Sequence, residues 1–334
     1  TLVTADLDAI ATNLDISDAT GAPTTLPNLT EGQELRVTAA QANTFGNMMT
    51  GAGNVTVELA NITAGSFNLS TIAATGTVKV EFGNAGILNS GTNLAGVDEV
   101  VLAGTTTLTG AQANAMSSFS GTGAVVITAA ADDGVQTLWG TAGNDTIAGR
   151  GGDTVNISQG GVDTLVFSGV ANDFTVTGFS ASGTGGEARI GADRFDFTSV
   201  REALENVNAA ASLVNVQKFT NAGEITGEIV LFTGTEESFV QTDSAVGIQT
   251  VFNFSLDGQP TINSLLNPGD NDMLFFIANE NNTAVNVWRW DDAPVGNPAT
   301  GDGNVQAAEL SLLATLNGLT RQDLDSLQAN QFTI

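Results

Sequence analysis

The sequence predicts a mainly β protein, and three observations carry this prediction. Valine, threonine and isoleucine alternate with polar residues in short runs, for example at residues 54–59, 77–82 and 97–102. Glycine, asparagine and threonine separate the runs, which places turns between short strands. A strand–turn–strand segment occurs twice in the N-terminal part. Together these features predict a repetitive β-solenoid or β-sandwich body (residues 1–139), a short β-roll (140–167), and a β-rich C-terminal domain with one or two short helices (168–334).

The internal repeat has the order strand, short helical turn, glycine turn, strand. The first copy runs from LRVTAAQAN at residue 35 to GAGNVTV at residue 51, and the second from LTGAQAN at residue 108 to GTGAVVIT at residue 121. The spacing from AQAN to the glycine turn is nearly the same in both copies. Residues 3–9 resemble a weaker third copy. Small side chains suit tightly stacked coils, so the repeat favours a rigid solenoid over an ordinary sandwich with a chance duplication.

Composition narrows the possible partners. The chain has 334 residues, of which 42% are hydrophobic, so it is long and apolar enough to form a sizeable core. It carries 36 acidic and 9 basic residues, which gives a net charge of −27. Nucleic acid is excluded as an expected partner because phosphate binding requires clustered lysine and arginine. Anionic membrane surfaces are disfavoured for the same reason, whereas divalent cations and cationic partners stay open.

The absence of three residue types excludes most enzyme classes. The chain has no cysteine, histidine or tyrosine, which removes disulfides, zinc–thiolate sites, Ser–His–Asp triads and histidine-ligated zinc proteases. Carboxylate, arginine and calcium chemistry survives, as in a glycosidase or polysaccharide lyase. The one cluster of this kind consists of Arg189, Arg194 and Arg201 near Asp193 and Asp196, which we interpret as surface ion pairs. We therefore predict that the protein is not an enzyme.

The most informative motif is GTAGNDTIA at residues 140–148. Two degenerate copies follow it, GRGGDTV at 149–155 and GGVDTLVF at 160–167. Their aspartates, Asp145, Asp153 and Asp163, recur at nearly equal intervals, and each precedes a threonine and an aliphatic residue. Glycine permits the positive φ of tight turns, and aspartate supplies the hard oxygen ligand that calcium prefers. A loop rich in glycine and aspartate without a metal is the alternative.

This pattern resembles the RTX (repeats-in-toxin) family of type I secreted bacterial proteins, whose repeat is a nonapeptide. The resemblance implies a calcium-binding β-roll in which aspartate carboxylates and turn carbonyls hold one or two calcium ions (Ca2+). Only the first copy is close to the family consensus, so we expect a short array. The residues expected at the metal are Gly140, Ala142, Asn144, Asp145, Gly151, Asp153, Gly161 and Asp163.

A second calcium candidate lies near the C-terminus. The segment GDGNVQAAEL at residues 301–310 matches the back half of an EF-hand loop, with Asp302 at position 5 and Glu309 at the bidentate position 12. Positions 1 and 3 fall on a proline and a threonine, so an upstream Asp or Asn would have to loop back. The alternative is a capped helix with a solvated Glu309. The candidate ligands are Asp292, Asn297, Asp302, Asn304 and Glu309.

The sequence of the C-terminal part predicts several strands and one helix. Apolar and alternating runs predict strands at 228–232, 238–241, 250–254, 273–278 and 284–290, and helical spacing predicts a helix over 200–214. The last two strands form a hairpin. Trp288 and Trp290 then share one face, as core or subunit-interface anchors. A helix from Leu310, a cap at Gly318 and a final strand resemble the C-terminal end of type I secretion substrates. The threonines at 105–109 reflect strand propensity, not an ice-binding ladder.

These features favour a secreted structural protein, found extracellularly or at the cell surface, that leaves the cell by a type I route without a classical leader. Its expected partners are further copies of itself in a lattice or filament, and a cell-surface or matrix polysaccharide. We see no transmembrane segment. The alternatives are an adhesin or polysaccharide-binding module and, less favoured, a calcium-assisted carbohydrate-active enzyme.

Overall fold

The protein is mainly β, as predicted, with several parallel sheets and a few short helices. The computed structural model describes residues 13–18, 26, 28–63, 65–116, 118–130, 134–168, 173–182, 192–200, 216–219, 223–225, 229–233, 244–253, 260–262, 272–291 and 305–333.

The chain divides into two compact units, Thr1–Asp145 and Thr146–Ile334. The boundary between the two units falls inside residues 140–167, which the sequence predicted to form a separate β-roll. The three-part division therefore stays a prediction, and each unit is described by itself.

The first unit is built from parallel strands. One sheet has the order β1-β2-β4-β6-β8-β10, a second has the order β7-β9-β11, and β3 pairs with β5. From β6 to β11, consecutive strands alternate between the two larger sheets, which is the path of a two-layer solenoid. The strands are β1 (Asn13–Asp15), β2 (Glu34–Thr38), β3 (Thr50–Gly51), β4 (Asn54–Leu59), β5 (Ala73–Ala74), β6 (Val78–Phe82), β7 (Gly86–Ile87), β8 (Glu99–Leu102), β9 (Thr106–Thr109), β10 (Phe119–Gly121), β11 (Val125–Thr128) and β12 (Thr137–Trp139).

Alternation along each strand sorts the side chains. In β2, Leu35 and Val37 are fully buried while Arg36 points outward, because successive side chains face opposite sides of a strand. Parallel pairing then places outward-facing side chains next to outward-facing ones, and buried side chains next to buried ones, in neighbouring strands. Lys79 pairs with Glu99, so one coil of the chain separates these two register partners. The predicted strands at 54–59, 77–82 and 97–102 are confirmed as β4, β6 and β8.

The internal repeat is confirmed in three dimensions. Helix α1 (Ala39–Phe45) and helix α2 (Gly110–Asn114) each begin with a capping box, formed by Thr38 with Gln41 and by Thr109 with Gln112. Both glutamines also reach outside their helix: Gln41 Nε2 donates to the carbonyl of residue 16 at 2.7 Å, and Gln112 Nε2 donates to that of residue 89 at 2.9 Å. Each copy therefore ties its helical turn to an earlier part of the chain. The proposed third copy at 3–9 lies outside the described residues.

The outward face of the first sheet carries an ion ladder across three strands. Arg36 on β2 donates from Nε to Glu58 Oε1 on β4 at 2.5 Å and also bonds Glu81 on β6. Lys79 Nζ lies 3.2 Å from Glu81 Oε1. Because one guanidinium spans three stacked strands, the ladder favours one register over its alternatives.

Arg36→Met should lower the free energy of unfolding by about 1 kcal/mol, since the ladder is partly exposed but networked. The hydrogen bond from Arg36 holds the pKa of Glu81 below its usual 4.5. Glu81 therefore contributes stability above pH 4.5 that is lost as the pH falls through the lowered pKa. Denaturant titrations at several pH values should show a smaller acid-side loss in Arg36→Met than in the wild type. Equal pH dependence in both proteins would contradict this account.

The second unit is also built largely from parallel strands. One sheet has the order β25-β17-β15-β13, another β14-β16-β24-β23-β22-β20-β18, and β19 pairs with β21. The helices are α3 (Ala245–Asn253) and α4 (Arg321–Leu324). The strands are β13 (Thr146–Ala148), β14 (Thr154–Asn156), β15 (Thr164–Val166), β16 (Phe174–Thr177), β17 (Arg194–Asp196), β18 (Val216–Phe219), β19 (Gly223–Ile225), β20 (Ile229–Phe232), β21 (Pro260–Ile262), β22 (Asp272–Ala278), β23 (Ala284–Asp291), β24 (Leu310–Asn317) and β25 (Phe332–Thr333).

The last strands of the chain complete the layers of this unit. β24 pairs in parallel with β16, and β25 pairs in parallel with β17. In the sheet that contains β16, strands β22, β23 and β24 are antiparallel neighbours. The predicted hairpin of residues 273–278 and 284–290 is confirmed, and so is the final strand.

Both faces of the central strands are buried. On one face Trp288 and Trp290 join a core with Phe275 and Ile248, which confirms their prediction as core anchors. On the other face Phe276 meets Phe195 edge-on with ring centroids 5.2 Å apart and meets Phe332 at 5.6 Å. This aromatic packing joins the hairpin to strands β17 and β25.

Two secondary-structure predictions are wrong. Residues 250–253 belong to helix α3 instead of a strand, because Ala245, Ile248 and Phe252 come together on one helical face that packs on the core. The run from Leu310 is strand β24 instead of a helix, because it pairs with strands on both sides. The predicted helix at 200–214, apart from residue 200, and the strand at 238–241 lie outside the described residues.

Candidate functional site

Each aspartate of the glycine-rich motif directly precedes a strand. Asp145, Asp153 and Asp163 come immediately before β13, β14 and β15, and each is only 1% exposed. The aliphatic residues two positions later in each copy are fully buried and begin the core, as the motif predicts. In the second unit Thr146 pairs in parallel with Thr164. The strand of the first motif copy therefore lies beside the strand of the third, with the second copy in the other layer.

In the first unit, Asp145 closes the turn that begins at residue 140. Its Oδ1 accepts from the amide of Val125 at 2.8 Å and from Thr141 Oγ1 at 2.8 Å, and its Oδ2 accepts from the amide of Thr141 at 2.5 Å. Val125 opens strand β11, in the preceding coil of the chain. The carboxylate therefore links its own turn to the start of a strand one coil away.

Gly143 permits this turn to stack closely. A Cβ at this position would lie 2.9 Å from the carbonyl oxygen of Gly123 and 3.1 Å from the Cβ of Ala124. Only glycine avoids that collision without movement of the neighbouring turn. The glycine two positions before Asp145 is thus explained by close packing and not by a positive φ, which Gly143 does not have.

Burial raises the pKa of Asp145 above its usual 3.8, and the hydrogen bonds from Thr141 and Val125 oppose that shift without cancelling it. The ionised carboxylate is consequently less stable in the folded protein than in water. A cation next to Asp145 would reverse the imbalance, because an opposite charge favours the ionised form.

The second unit repeats the arrangement with an aspartate that the sequence analysis did not propose as a ligand. Asp193 is fully buried and precedes β17. Its Oδ1 accepts from the amide of Asp163 at 2.9 Å, and its Oδ2 accepts from the amide of Ser180 at 2.6 Å. Because Thr164 and Arg194 are register partners, Asp163 and Asp193 lie side by side at the N-terminal ends of the neighbouring strands β15 and β17. The signal was available: Asp193, like the others, stands directly before a strand.

The remaining residues of the first candidate lie at turns. Asp153 Oδ2 accepts from the amide of Arg150 at 2.8 Å. Ala142, Asn144 and Gly151 are exposed, whereas Gly140 is buried and Gly161 is half-buried. Across the residues that the structure describes, no three acidic side chains are arranged to hold a metal ion. The predicted site uses backbone carbonyls as well as aspartates, so its calcium affinity stays a prediction.

Of the second candidate, only Glu309 is described; Asp292, Asn297, Asp302 and Asn304 lie outside the described residues. Glu309 is buried, and its Oε2 accepts from Trp290 Nε1 and from the amide of Gln306, both at 3.0 Å. Glu309 therefore differs from the solvated residue of the capped-helix alternative. It connects the segment after residue 304 to the tryptophan core.

No protein-family model, curated protein or solved structure matches this chain. Within the described part of the chain, none of the helices has the length and apolar character needed to span a membrane. Of the predicted arginine cluster, Arg194 is exposed at the start of β17, and Arg189 and Arg201 are not described.

Proposed function

We propose that this chain is a secreted, calcium-binding structural protein that folds outside the cell and assembles there into a surface layer, matrix or filament. The observation that carries the proposal is the repeated parallel coil, with turns closed by buried aspartates. In such coils each strand bonds to the equivalent strands of the preceding and following coils, so the body is stiff along the stack. A stiff, repetitive body with no enzyme motif suits a structural subunit.

Calcium is the proposed trigger for folding. The support is the repeated glycine–aspartate motif, the burial of its aspartates, and the raised pKa of Asp145. A chain with a charge of −27 repels itself, and divalent cations would reduce that repulsion. Metal binding that requires folded ligands adds its binding free energy to folding. Release into a calcium-rich exterior would then couple folding to export.

A calcium titration tests the proposal. We expect added calcium to raise Tm and to produce ordered sheets or fibres, seen by light scattering and negative-stain microscopy, that disappear with chelator. Magnesium at equal concentration is the control for ionic strength and simple charge neutralisation. No response to calcium in either Tm or assembly would reject both the metal sites and the RTX-like interpretation.

An adhesin or polysaccharide-binding module is the alternative from a different class. It predicts exposed aromatic side chains for sugar stacking. Among the described residues, the large apolar side chains that are exposed are Met48, Ile87, Val135 and Val246, none of them aromatic. A protein that gains Tm with calcium, stays monomeric and binds a glycan array would favour this alternative.

A further inference from the structure

The second sheet of the first unit has an outward face without charge, which we call the neutral face. In β9, Thr106 and Leu108 are buried, whereas Thr105 and Thr109 on either side are exposed and Thr107 is half-buried. The same alternation holds in the neighbouring strands. The face consists of Ala85, Ile87 and Asn89, then Thr105, Thr107 and Thr109, then Val126 and Thr128.

Register aligns the side chains of this face in rows across the strands. Ile87 pairs with Thr107, and Thr107 pairs with Val126, so three side chains form one row across the strands. They are β-branched and short, which gives a surface with few protrusions. Ile87 is 67% exposed at the edge strand of this sheet, an apolar side chain left in water.

The first sheet of the same unit contrasts with the neutral face. Its outward side chains include Arg36, Lys79 and the glutamates at 34, 58, 81 and 99. The segments 84–89, 104–109 and 123–128, which form the second sheet, contain no charged residue. Charge is therefore concentrated on one sheet of the solenoid and absent from the other.

We propose that the neutral face is a self-association surface that packs against the same face of a second copy. Like-charged copies of a chain at −27 repel each other when charged surfaces come within the screening length, about 8 Å at physiological ionic strength. Sheets packed face to face have backbones about 10 Å apart and side chains in contact, so charged side chains there would lie well within the screening length, and only an uncharged face allows that approach without charge repulsion across the interface. The twofold pairing rests on the proposed assembly function and supplies one of its contacts.

Other occupants fit this face less well. Nucleic acid and anionic lipid require lysine and arginine, which the face does not have. Sugar polymers are held mainly by aromatic stacking and by polar groups that fix orientation, and the described face has no aromatic side chain. Threonine, alanine and valine match a second surface of the same kind, because short side chains of two sheets interdigitate.

Ile87→Glu tests the proposal, with Val135→Glu as its matched control. Val135 is 72% exposed, similar to Ile87, and lies outside the neutral face. Both variants add one negative charge at an exposed apolar site, so their circular dichroism and Tm should match the wild type. In calcium, sedimentation velocity should show that Ile87→Glu needs at least about tenfold more protein to associate, since like charges then face each other. Val135→Glu should associate as the wild type does.

A spin-label readout of the contact itself separates this proposal from the assembly function. The chain has no cysteine, so a nitroxide on Thr107→Cys reports its own contacts, with Val135→Cys as control. We expect dipolar coupling between copies at position 107 and none at 135. If the wild type assembles and both glutamate variants associate equally well, the neutral face is rejected as the contact, whereas the assembly function stands. A wild type that stays monomeric in calcium, with no coupling at position 107, would reject both proposals.

Discussion

Asp145→Ala should lower the free energy of unfolding by about 3 kcal/mol without calcium. The substitution removes the acceptor of the buried amides of Val125 and Thr141 and of the Thr141 hydroxyl. Each buried donor left without an acceptor costs about 1–3 kcal/mol. Urea unfolding monitored by circular dichroism measures the loss, and a change below about 1 kcal/mol would contradict the assigned role.

Asp145→Asn is the control that separates the structural role from the metal role. It keeps the shape and one acceptor oxygen, so its loss without calcium should be smaller than that of Asp145→Ala. It removes the anionic ligand, so the rise of Tm with calcium should shrink. An unchanged calcium response in Asp145→Asn would remove Asp145 from the metal site and leave its structural role intact.

The pH dependence of Asp145 has the opposite sign to that of Glu81. Because burial raises the pKa of Asp145, the folded protein binds this proton more tightly than the unfolded chain does. The contribution of this residue to stability is therefore greatest below pH 3.8 and declines as the pH rises through the raised pKa. Asp145→Asn should remove that decline, and calcium should weaken it in the wild type.

Trp290→Ala should be the most destabilising of the substitutions considered, with a loss of about 4 kcal/mol. Trp290 is fully buried on β23, and its ring stacks on Phe275 with centroids 6.3 Å apart. Its truncation leaves a cavity in the core of the second unit and removes the hydrogen bond to Glu309. Thermal unfolding followed by near-ultraviolet circular dichroism would measure this loss.

Trp290→Phe divides the effect between packing and the hydrogen bond. Phenylalanine fills much of the cavity but cannot donate to Glu309, so its loss should be intermediate. Glu309→Gln keeps the side-chain volume and an acceptor oxygen and should cost less than either. If Trp290→Phe is as destabilising as Trp290→Ala, the lost hydrogen bond to Glu309 costs more than the cavity does, and the expected intermediate loss is wrong.

Local signals were sufficient for the coils of the first unit. Alternation predicted β4, β6 and β8, and the capping boxes formed by Thr38 with Gln41 and by Thr109 with Gln112 need only residues within one helical turn of each other. The position of each motif aspartate before a strand was also correct. These features depend on near neighbours along the chain, which is the information that a sequence carries directly.

The partners of the aspartates were not predictable in the same way. The motif predicted carboxylates at tight turns but not that Asp145 accepts an amide from the preceding coil or that Asp193 lies next to Asp163. Which coil lies beside which is set by the length of each coil. That length varies, because Thr164 is the register partner of Thr146 on one side and of the more distant Arg194 on the other.

The sequence by itself determined the β class, the repeat, the strand that follows each motif aspartate, and the acidic character of the chain. Tertiary structure alone decided that the run from Leu310 is a strand, that residues 250–253 are helical, and that Glu309 bonds Trp290. The physical reason is the same in each case. A short run of mixed apolar and polar residues fits a strand or a helix, and only the hydrogen-bonding partners and packed faces supplied by distant residues select one. The partner of Glu309 likewise lies far from it along the chain.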